Sequence, residues 1–131
     1  MDLLNTLRQD YARFPADQTY SLYAEDVYFR DPLNSFRGRT NYQNMINWME
    51  TWFVDIHMDL HEIQQQGDEV STEWTLSWRA PLPWRPRLQV RGWTEMKLNA
   101  QGLIQSHVDY WYCSRWELVQ QLFQTSPASN S

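Results

Sequence analysis

The stretch GLIQSHVDYWYCSR, residues 102–115, decides the fold of this chain. It carries ionisable and aromatic residues at the spacing of a late, buried β-strand, in which side chains two positions apart share a face. The alternation sets two groups of three on opposite faces: His107, Asp109 and Trp111 against Val108, Tyr110 and Tyr112. Because an unpaired buried charge is costly, an acid and an imidazole on the inward face need partners, water or a pocket. The strand therefore predicts a pocket beside it.

Length and composition indicate one domain with a core of large rings. The chain has 131 residues, 42% of them hydrophobic and 15% aromatic, including eight tryptophans and seven tyrosines. A chain of this length buries roughly two thirds of the surface that its unfolded form exposes. We predict a single domain over residues 1–124 and a polar, disordered tail, TSPASNS, over residues 125–131.

Charge and cysteine content exclude several classes of protein. A net charge of −5 argues against a nucleic-acid binder, whose affinity comes mostly from neutralising phosphates. The single cysteine, Cys113, forms no internal disulfide or zinc pattern, and we interpret it as a small buried residue. No apolar run approaches the roughly 20 residues of a membrane span, and the N-terminus lacks a signal-peptide core. We therefore expect a cytoplasmic protein without a membrane span.

Helical periods come first along the chain, and strand periods follow. The apolar spacing predicts helices over residues 3–14, 17–24 and 40–53, with a brief strand at Val27–Phe29 that ends at Asp31-Pro32. From Ile56 onward, apolar and polar residues alternate through four long segments separated by turn signals. Helices followed by an antiparallel meander predict an α+β fold, with the helices on one face of a curved sheet.

Two sets of charged or ionisable residues could have a functional role. Four arginines flank the proline-rich loop APLPWRP, residues 80–86, and could hold an acidic partner or a phosphate, or could stack on tryptophans at a rim: Arg79, Arg85, Arg87 and Arg91, near Trp78, Trp84 and Trp93. His57 and His61 would lie about 13 Å apart in a strand, too far for one metal ion. With Asp59 they are expected to face outward, and no metal site is predicted.

The segment AEDVYFRDP, residues 24–32, with a helix and four long strands after it, resembles the nuclear transport factor 2-like superfamily, which includes ketosteroid isomerases and polyketide cyclases. The resemblance covers about residues 3–113. It implies a cone-shaped, curved antiparallel sheet with three N-terminal helices on its concave face. Many members pair through the convex face, so a homodimer is expected, with this polar patch at its interface: His57, Asp59, His61, Glu73, Thr75 and Arg91.

The same resemblance implies a set of site residues. Asp31 matches the catalytic base of ketosteroid isomerases, and Tyr11 matches the tyrosine that donates to the substrate oxygen. VRGWTEMKLNAQGLI, residues 90–104, matches the penultimate strand and hairpin, and there Thr94 replaces a protonated aspartic acid. The remaining pocket positions fall on residues of the later strands: Trp74, Trp78, His107, Asp109 and Trp111. Because the carboxylic acid at Thr94 is missing, steroid isomerisation itself is not expected.

Within the superfamily, DYWYCSR and APLPW are similar to an uncharacterised family of cyanobacteria and plastids. This similarity implies a habitat, with the plastid stroma as the location of plant relatives, but no reaction.

Three of these residues have a plain structural alternative. Asp31 lies before a proline, where an aspartate often only forms a turn. His107 and Asp109 have Cα atoms roughly 6.6 Å apart, so they could be a catalytic acid pair or a buried polar pair that stabilises the strand.

Two functions from different classes remain open. The first is a small-molecule pocket protein that catalyses cofactor-free acid–base chemistry on an apolar carbonyl compound, by isomerisation, dehydration or cyclisation. Asp31 would be the base, Tyr11 and Thr94 would donate to the oxyanion, and His107 with Asp109 would be the acid. Trp74, Trp78 and Trp111 would form the walls. The second is a non-catalytic ligand-binding or scaffold module for a protein partner in photosynthetic cells.

Overall fold

The computed structural model describes residues 2–123, so the predicted tail over residues 125–131 lies outside the described residues. The elements in chain order are α1 (Leu3–Arg13), a 3₁₀ turn (Tyr20–Leu22), β1 (Tyr23–Arg30), β2 (Ser35–Arg37), α2 (Arg39–Trp52), β3 (Val54–Gln66), β4 (Glu69–Arg79), β5 (Arg87–Leu98), β6 (Ile104–Trp111) and α3 (Arg115–Gln121). This is the predicted α+β architecture, helices against a curved sheet. Among these residues no helix is long and apolar enough to cross a membrane.

The sheet has six strands in the order β2-β1-β6-β5-β4-β3. Strands β3 to β6 form the predicted antiparallel meander. The prediction of a wholly antiparallel sheet needs one correction, because β1 pairs with β6 in parallel, with Phe29 opposite His107. A parallel partner is reached by a long crossover rather than a hairpin, so no local turn signal encodes it. This pairing places the first strand beside the strand that carries His107 and Asp109.

Two of the three predicted N-terminal helices form as α-helices. Asp2 caps α1 by accepting from the Leu4 N–H at 3.2 Å, and Gly38, with a φ of 110°, leads into α2. The predicted helix over residues 17–24 is wrong: only the three-residue 3₁₀ turn forms, and Tyr23 and Ala24 are buried at the start of β1. Pairing with β6 fixes these residues as extended chain, and this tertiary contact overrides their helical spacing.

The helix α3 follows the sheet and was not predicted. Ser114 and Glu117 form a reciprocal capping box at its start, which satisfies two backbone N–H groups. The helix packs on β5, where Gln121 exchanges hydrogen bonds with the backbone of Gln89. Arg115 donates to the Pro32 carbonyl at 3.4 Å. The C-terminal helix is thereby joined to the loop that carries Asp31.

The core divides into two clusters. One lies where α1 and α2 meet β1 and β6, around Val27, Phe29 and Ile104, and the other is built around the tryptophans of β4. Gly92 on β5 lies where the second cluster meets the sheet. A Cβ on this residue would collide with the backbone carbonyl of Tyr110 and lie 2.8 Å from the Trp74 ring. Only glycine lets the Trp74 indole lie this close to β5.

The outer face of β3 is polar, as predicted. His57, Asp59 and His61 are exposed, with His57 bonded to Asp59 at 2.8 Å and His61 to Thr75 at 2.7 Å. Glu73 accepts from Arg91 at 2.8 Å.

The arginines of the proline-rich loop do not stack on Trp78, Trp84 or Trp93 in the described part of the chain. Arg79 approaches Asp55 at 3.7 Å, and Arg87 donates to the Ser77 hydroxyl at 2.9 Å. The Arg91 guanidinium lies over the Tyr112 ring instead. Carboxylate and hydroxyl acceptors on neighbouring strands thus hold these side chains along the sheet.

Candidate functional site

A cavity of about 520 Å³ lies between α1, α2 and one face of the sheet. Its walls are mostly apolar and its polar groups are few, which is the usual character of a small-molecule site. The structure brings all eight residues singled out from the sequence to this one cavity: Tyr11, Asp31, Trp74, Trp78, Thr94, His107, Asp109 and Trp111. They come from four separate elements and one loop, so the arrangement exists only in the folded chain.

Asp109 lies at the centre of the polar end. Its Oδ1 accepts a hydrogen bond from the Thr94 hydroxyl at 2.6 Å and contacts His107 Nε2 at 2.9 Å. Thr94 in turn accepts from the Trp74 indole N–H at 2.8 Å. The second carboxylate oxygen, Oδ2, has no donor within hydrogen-bond distance among residues 2–123. One carboxylate oxygen is therefore held in place, and the other is available to a ligand.

A second chain of groups approaches Asp109 through His107. The Nδ1 atom of His107 lies 3.3 Å from the Tyr23 hydroxyl, which lies 3.3 Å from the Tyr42 hydroxyl. Burial raises the pKa of Tyr23 and of Tyr42, so both phenols stay protonated. A neutral imidazole that donates from Nε2 satisfies every contact in this chain. In that arrangement Tyr42 donates to Tyr23, Tyr23 donates to His107, and His107 donates to Asp109.

Tyr11 projects from α1 into the same end of the cavity. Its hydroxyl lies 2.7 Å from the Thr72 hydroxyl. Burial raises the pKa of Tyr11 and the charge of Asp109 adds to this rise, while the bond to Thr72 opposes it. The phenol is consequently a neutral hydrogen-bond donor at any ordinary pH. Such a group can stabilise negative charge that develops on a ligand oxygen.

Asp31 reaches the cavity from the loop after β1. Its Oδ1 accepts from the backbone N–H groups of Leu33 at 2.8 Å and Asn34 at 2.6 Å, which is the turn-forming role considered above. Burial raises the pKa of this carboxyl, against the effect of these donors, and the charge of Asp109 adds a smaller rise. Asp31 therefore forms the turn and also faces the cavity as a partly desolvated acid.

Aromatic rings form much of the wall. Phe53 and Trp78 stack with centroids 4.8 Å apart and planes at 5°. Trp74 is 4% exposed, and Trp111 lines the same cavity from β6. The wall is fixed on sheet strands and is therefore largely preformed.

Sequence reasoning did not predict that two tyrosines line the cavity beside His107. Tyr23 falls in the predicted helix over residues 17–24, which does not form. Tyr42 is a core residue of α2, and both rings also lie next to the imidazole of His107, with centroids 5.9 and 5.5 Å from it. The odd-numbered apolar residues Tyr23, Val27 and Phe29 share a face and could have signalled the strand, but the register shifts between Tyr23 and Tyr28 and blurs that period.

The described residues contain neither a group of metal ligands nor an activated thiol. Among residues 2–123 no group of three or more His, Cys, Asp or Glu side chains is placed to hold a metal ion. Burial raises the pKa of the Cys113 thiol, which disfavours the reactive thiolate. The polar side chains of the cavity are carboxylates, side-chain amides, an imidazole, hydroxyls and indole N–H groups.

Helices packed against a curved, six-stranded sheet, with a cavity between them, give the chain the α+β fold of nuclear transport factor 2-like proteins. Solved structures of this class match the chain. They include a hypothetical protein from Catenulispora acidiphila with a ketosteroid isomerase-like fold, in complex with trimethylamine (16% identity, 92% of this chain and 91% of that one, TM-score 0.73). A nuclear transport factor 2-like protein of unknown function from Burkholderia pseudomallei has a TM-score of 0.74 at 13% identity, covering 92% of this chain and 97% of that one. An LEH-like epoxide hydrolase from M. tuberculosis has a TM-score of 0.69 at 16% identity, covering 91% and 85%.

The chain belongs to the family DUF2358, described as an uncharacterized conserved protein, whose model matches residues 1–107. No curated protein matches the sequence. The structural likenesses, all below 20% identity, establish the fold and leave the reaction to be argued from the site.

Proposed function

We propose that the protein binds a small, largely apolar carbonyl compound in this cavity and catalyses a cofactor-free acid–base reaction on it. The observation that carries the proposal is that two carboxylates, Asp31 and Asp109, face one cavity with apolar walls. Dry surroundings strengthen electrostatic interactions and bring a carboxyl pKa towards the neutral range in which it serves as a base. Isomerisation, dehydration and cyclisation all begin with such a proton transfer.

The geometry supports a division of roles. Asp31 removes a proton from the carbon next to the carbonyl, and the electron pair moves to the carbonyl oxygen. Tyr11 donates a hydrogen bond to that oxygen. In its protonated form, the His107–Asp109 pair then returns a proton to another carbon of the ligand. The proton gained by Asp31 passes to solvent and solvent reprotonates the pair, so the protons balance. Because the hydroxyl proton of Thr94 is directed to Asp109, we assign Thr94 to positioning Asp109 rather than to the oxyanion.

A deuterium exchange assay tests proton abstraction without knowledge of the physiological substrate. Ketones and enones that shift the thermal unfolding of the protein would be incubated with it in D₂O, and loss of the α-proton followed by NMR. We expect exchange well above the buffer rate. Asp31→Asn should slow it at least about a hundredfold, the range of general base catalysis, and Tyr11→Phe should slow it less. Asp68→Asn, in the exposed β3–β4 turn, is the matched control and should have no effect.

The enzymatic proposal fails if every ketone that binds exchanges no faster than in buffer. A second outcome also argues against it: equal exchange rates in the wild-type protein and Asp31→Asn would show that this carboxylate is not the base. Because a base acts on the barrier rather than on ground-state contacts, the affinity for neutral ligands should survive Asp31→Asn.

An alternative function is a non-catalytic module that binds a ligand or scaffolds a protein partner in photosynthetic cells. The observation that favours it is the exposure of two indoles on α2, Trp48 at 55% and Trp52 at 52%, since exposed aromatic residues are common in interfaces. Trp52→Ser separates the two functions, because Trp52, unlike Trp48, does not line the cavity. The variant should lose a bound partner under the scaffold hypothesis and keep full exchange activity under the enzymatic one.

A further inference from the structure

We propose that the cavity selects a ligand that carries a positive charge on an otherwise apolar skeleton, as a protonated amine or a quaternary ammonium group. The inference names the ligand class for the same cavity and rests on the proposed function only in taking this cavity as the functional site. It follows from the charges and surfaces that line the cavity.

The ionisable groups of the lining are unbalanced in charge. The residues that line the cavity include three carboxylates and neither lysine nor arginine among residues 2–123. The other ionisable groups are the three phenols, kept neutral by burial, and one imidazole: Tyr11, Tyr23, Tyr42 and His107. An anionic ligand such as a carboxylate or phosphate would therefore be desolvated beside negative charges with no basic side chain to pair with it.

One of the three carboxylates is already neutralised by its neighbours. Asp10 is 4% exposed and accepts from Arg13 at 2.8 Å and from the Thr19 hydroxyl at 2.8 Å. Asp31 and Asp109 have no lysine or arginine partner: their donors are backbone N–H groups, the Asn34 side-chain amide, a threonine hydroxyl and an imidazole. Arg115 donates to the Pro32 carbonyl rather than to a carboxylate. Two carboxylates thus remain without a lysine or arginine counter-charge.

The wall of the cavity suits the rest of such a ligand. Tryptophans, phenylalanines and methionines line it, among them Trp74, Trp78, Trp111, Phe53, Met45 and Met58. A cation is attracted to the electron-rich face of an indole ring, and quaternary ammonium groups are recognised in this way. Aromatic walls accept a neutral apolar ligand equally well, so it is the two carboxylates that decide in favour of the cation.

A matched pair of ligands tests the proposal directly. 4-tert-Butylphenol and (4-hydroxyphenyl)trimethylammonium have the same shape and differ in one positive charge. Binding of each to the full chain would be measured by calorimetry at low and at physiological salt. We expect the ammonium compound to bind at least about tenfold more tightly than the neutral isostere. 4-Hydroxybenzoate, as an anionic comparison, should bind more weakly than either.

Charge-removing variants locate the source of the preference. Asp109→Asn and Asp31→Asn keep the shape of each side chain, so the affinity of 4-tert-butylphenol should stay within about twofold while that of the ammonium compound falls severalfold. Glu69→Gln, an exposed residue at the start of β4, changes the net charge by the same amount and should alter neither affinity. Equal or tighter binding of the neutral isostere to the wild-type protein, or an unchanged cation preference in both aspartate variants, would overturn the proposal.

The outcome is independent of catalysis. Cation preference without deuterium exchange would leave the ligand class standing and remove the proposed enzymatic function. Deuterium exchange of neutral ketones without a preference for cations would support the enzymatic function and remove the proposed ligand class.

Discussion

The substitution Thr94→Val tests whether one buried hydroxyl organises the candidate site. Thr94 is 1% exposed, accepts from the Trp74 indole N–H at 2.8 Å and donates to Asp109 at 2.6 Å. Valine has nearly the same shape as threonine, so the substitution removes these two hydrogen bonds while the packing stays the same. Any change in stability then reports on the bonds themselves.

The expected loss of stability follows from the two bonds. Leaving a buried N–H without an acceptor costs about 1–3 kcal/mol, and a hydrogen bond to a charged group is worth about 1.5–3 kcal/mol. Part of this is recovered, because valine has no hydroxyl to desolvate. We expect the free energy of unfolding to fall by about 2–4 kcal/mol, and the melting temperature by roughly 10 °C.

Thr94→Ser is the matched control for this experiment. It keeps the hydroxyl and loses one methyl group, at a cost of about 1 kcal/mol. Urea and thermal unfolding, followed by tryptophan fluorescence, would rank the three proteins. We expect wild type, then Thr94→Ser, then Thr94→Val in order of decreasing stability. If Thr94→Val equals or exceeds Thr94→Ser, the hydroxyl does not hold the site together and the reasoning is wrong.

Four further predictions concern the sheet, the carboxylate, the wall and the assembly. Gly92→Ala should lower the free energy of unfolding by about 1–3 kcal/mol in urea titrations, because the added methyl meets the Tyr110 carbonyl and the Trp74 ring; unchanged stability would contradict this. Burial raises the pKa of Asp31 above its value in the unfolded chain. As pH rises, the unfolded chain therefore loses this proton at a lower pH than the folded protein does. Wild-type stability falls as pH rises from the unfolded pKa through the folded pKa. Asp31→Asn should therefore gain stability relative to wild type over that interval in pH-dependent melting, and a flat difference would count against the assignment. Trp111→Ala should weaken binding of both 4-tert-butylphenol and its ammonium isostere in calorimetry by deleting wall area, and intact affinity would remove Trp111 from the site. Sedimentation at micromolar concentration should show a homodimer, paired through the polar outer face around Glu73 and Arg91; a monomer would refute it.

The sequence by itself determined which residues share a face. Alternation along β6 placed His107, Asp109 and Trp111 together, and the same rule set His57, Asp59 and His61 on the outer side of β3. The helical period likewise located α1 and α2 within one residue. These features depend on residues a few positions apart, whose geometry the backbone repeat fixes.

Local pattern failed where distant pairing decided the conformation. Residues 17–24 have helical spacing, yet pairing of Tyr23 with Ile104 makes the end of that segment a strand. The parallel contact between β1 and β6 has no turn to announce it. Pairing with β6, rather than the local sequence, therefore determines that the end of this segment is a strand.

Only the tertiary structure decided which side chains of the site form hydrogen bonds with each other. The Tyr23 and His107 side chains meet although 84 positions separate them, and Thr94 and Asp109 meet across two strands. A hydroxyl proton can point to one acceptor only, so its direction depends on which carboxylate the fold brings within hydrogen-bond reach. The resemblance marked Thr94 as a donor to the ligand, whereas the folded chain gives its proton to Asp109. Residue type and spacing determine which hydrogen bonds a side chain can form. The sheet register determines which partner it forms them with.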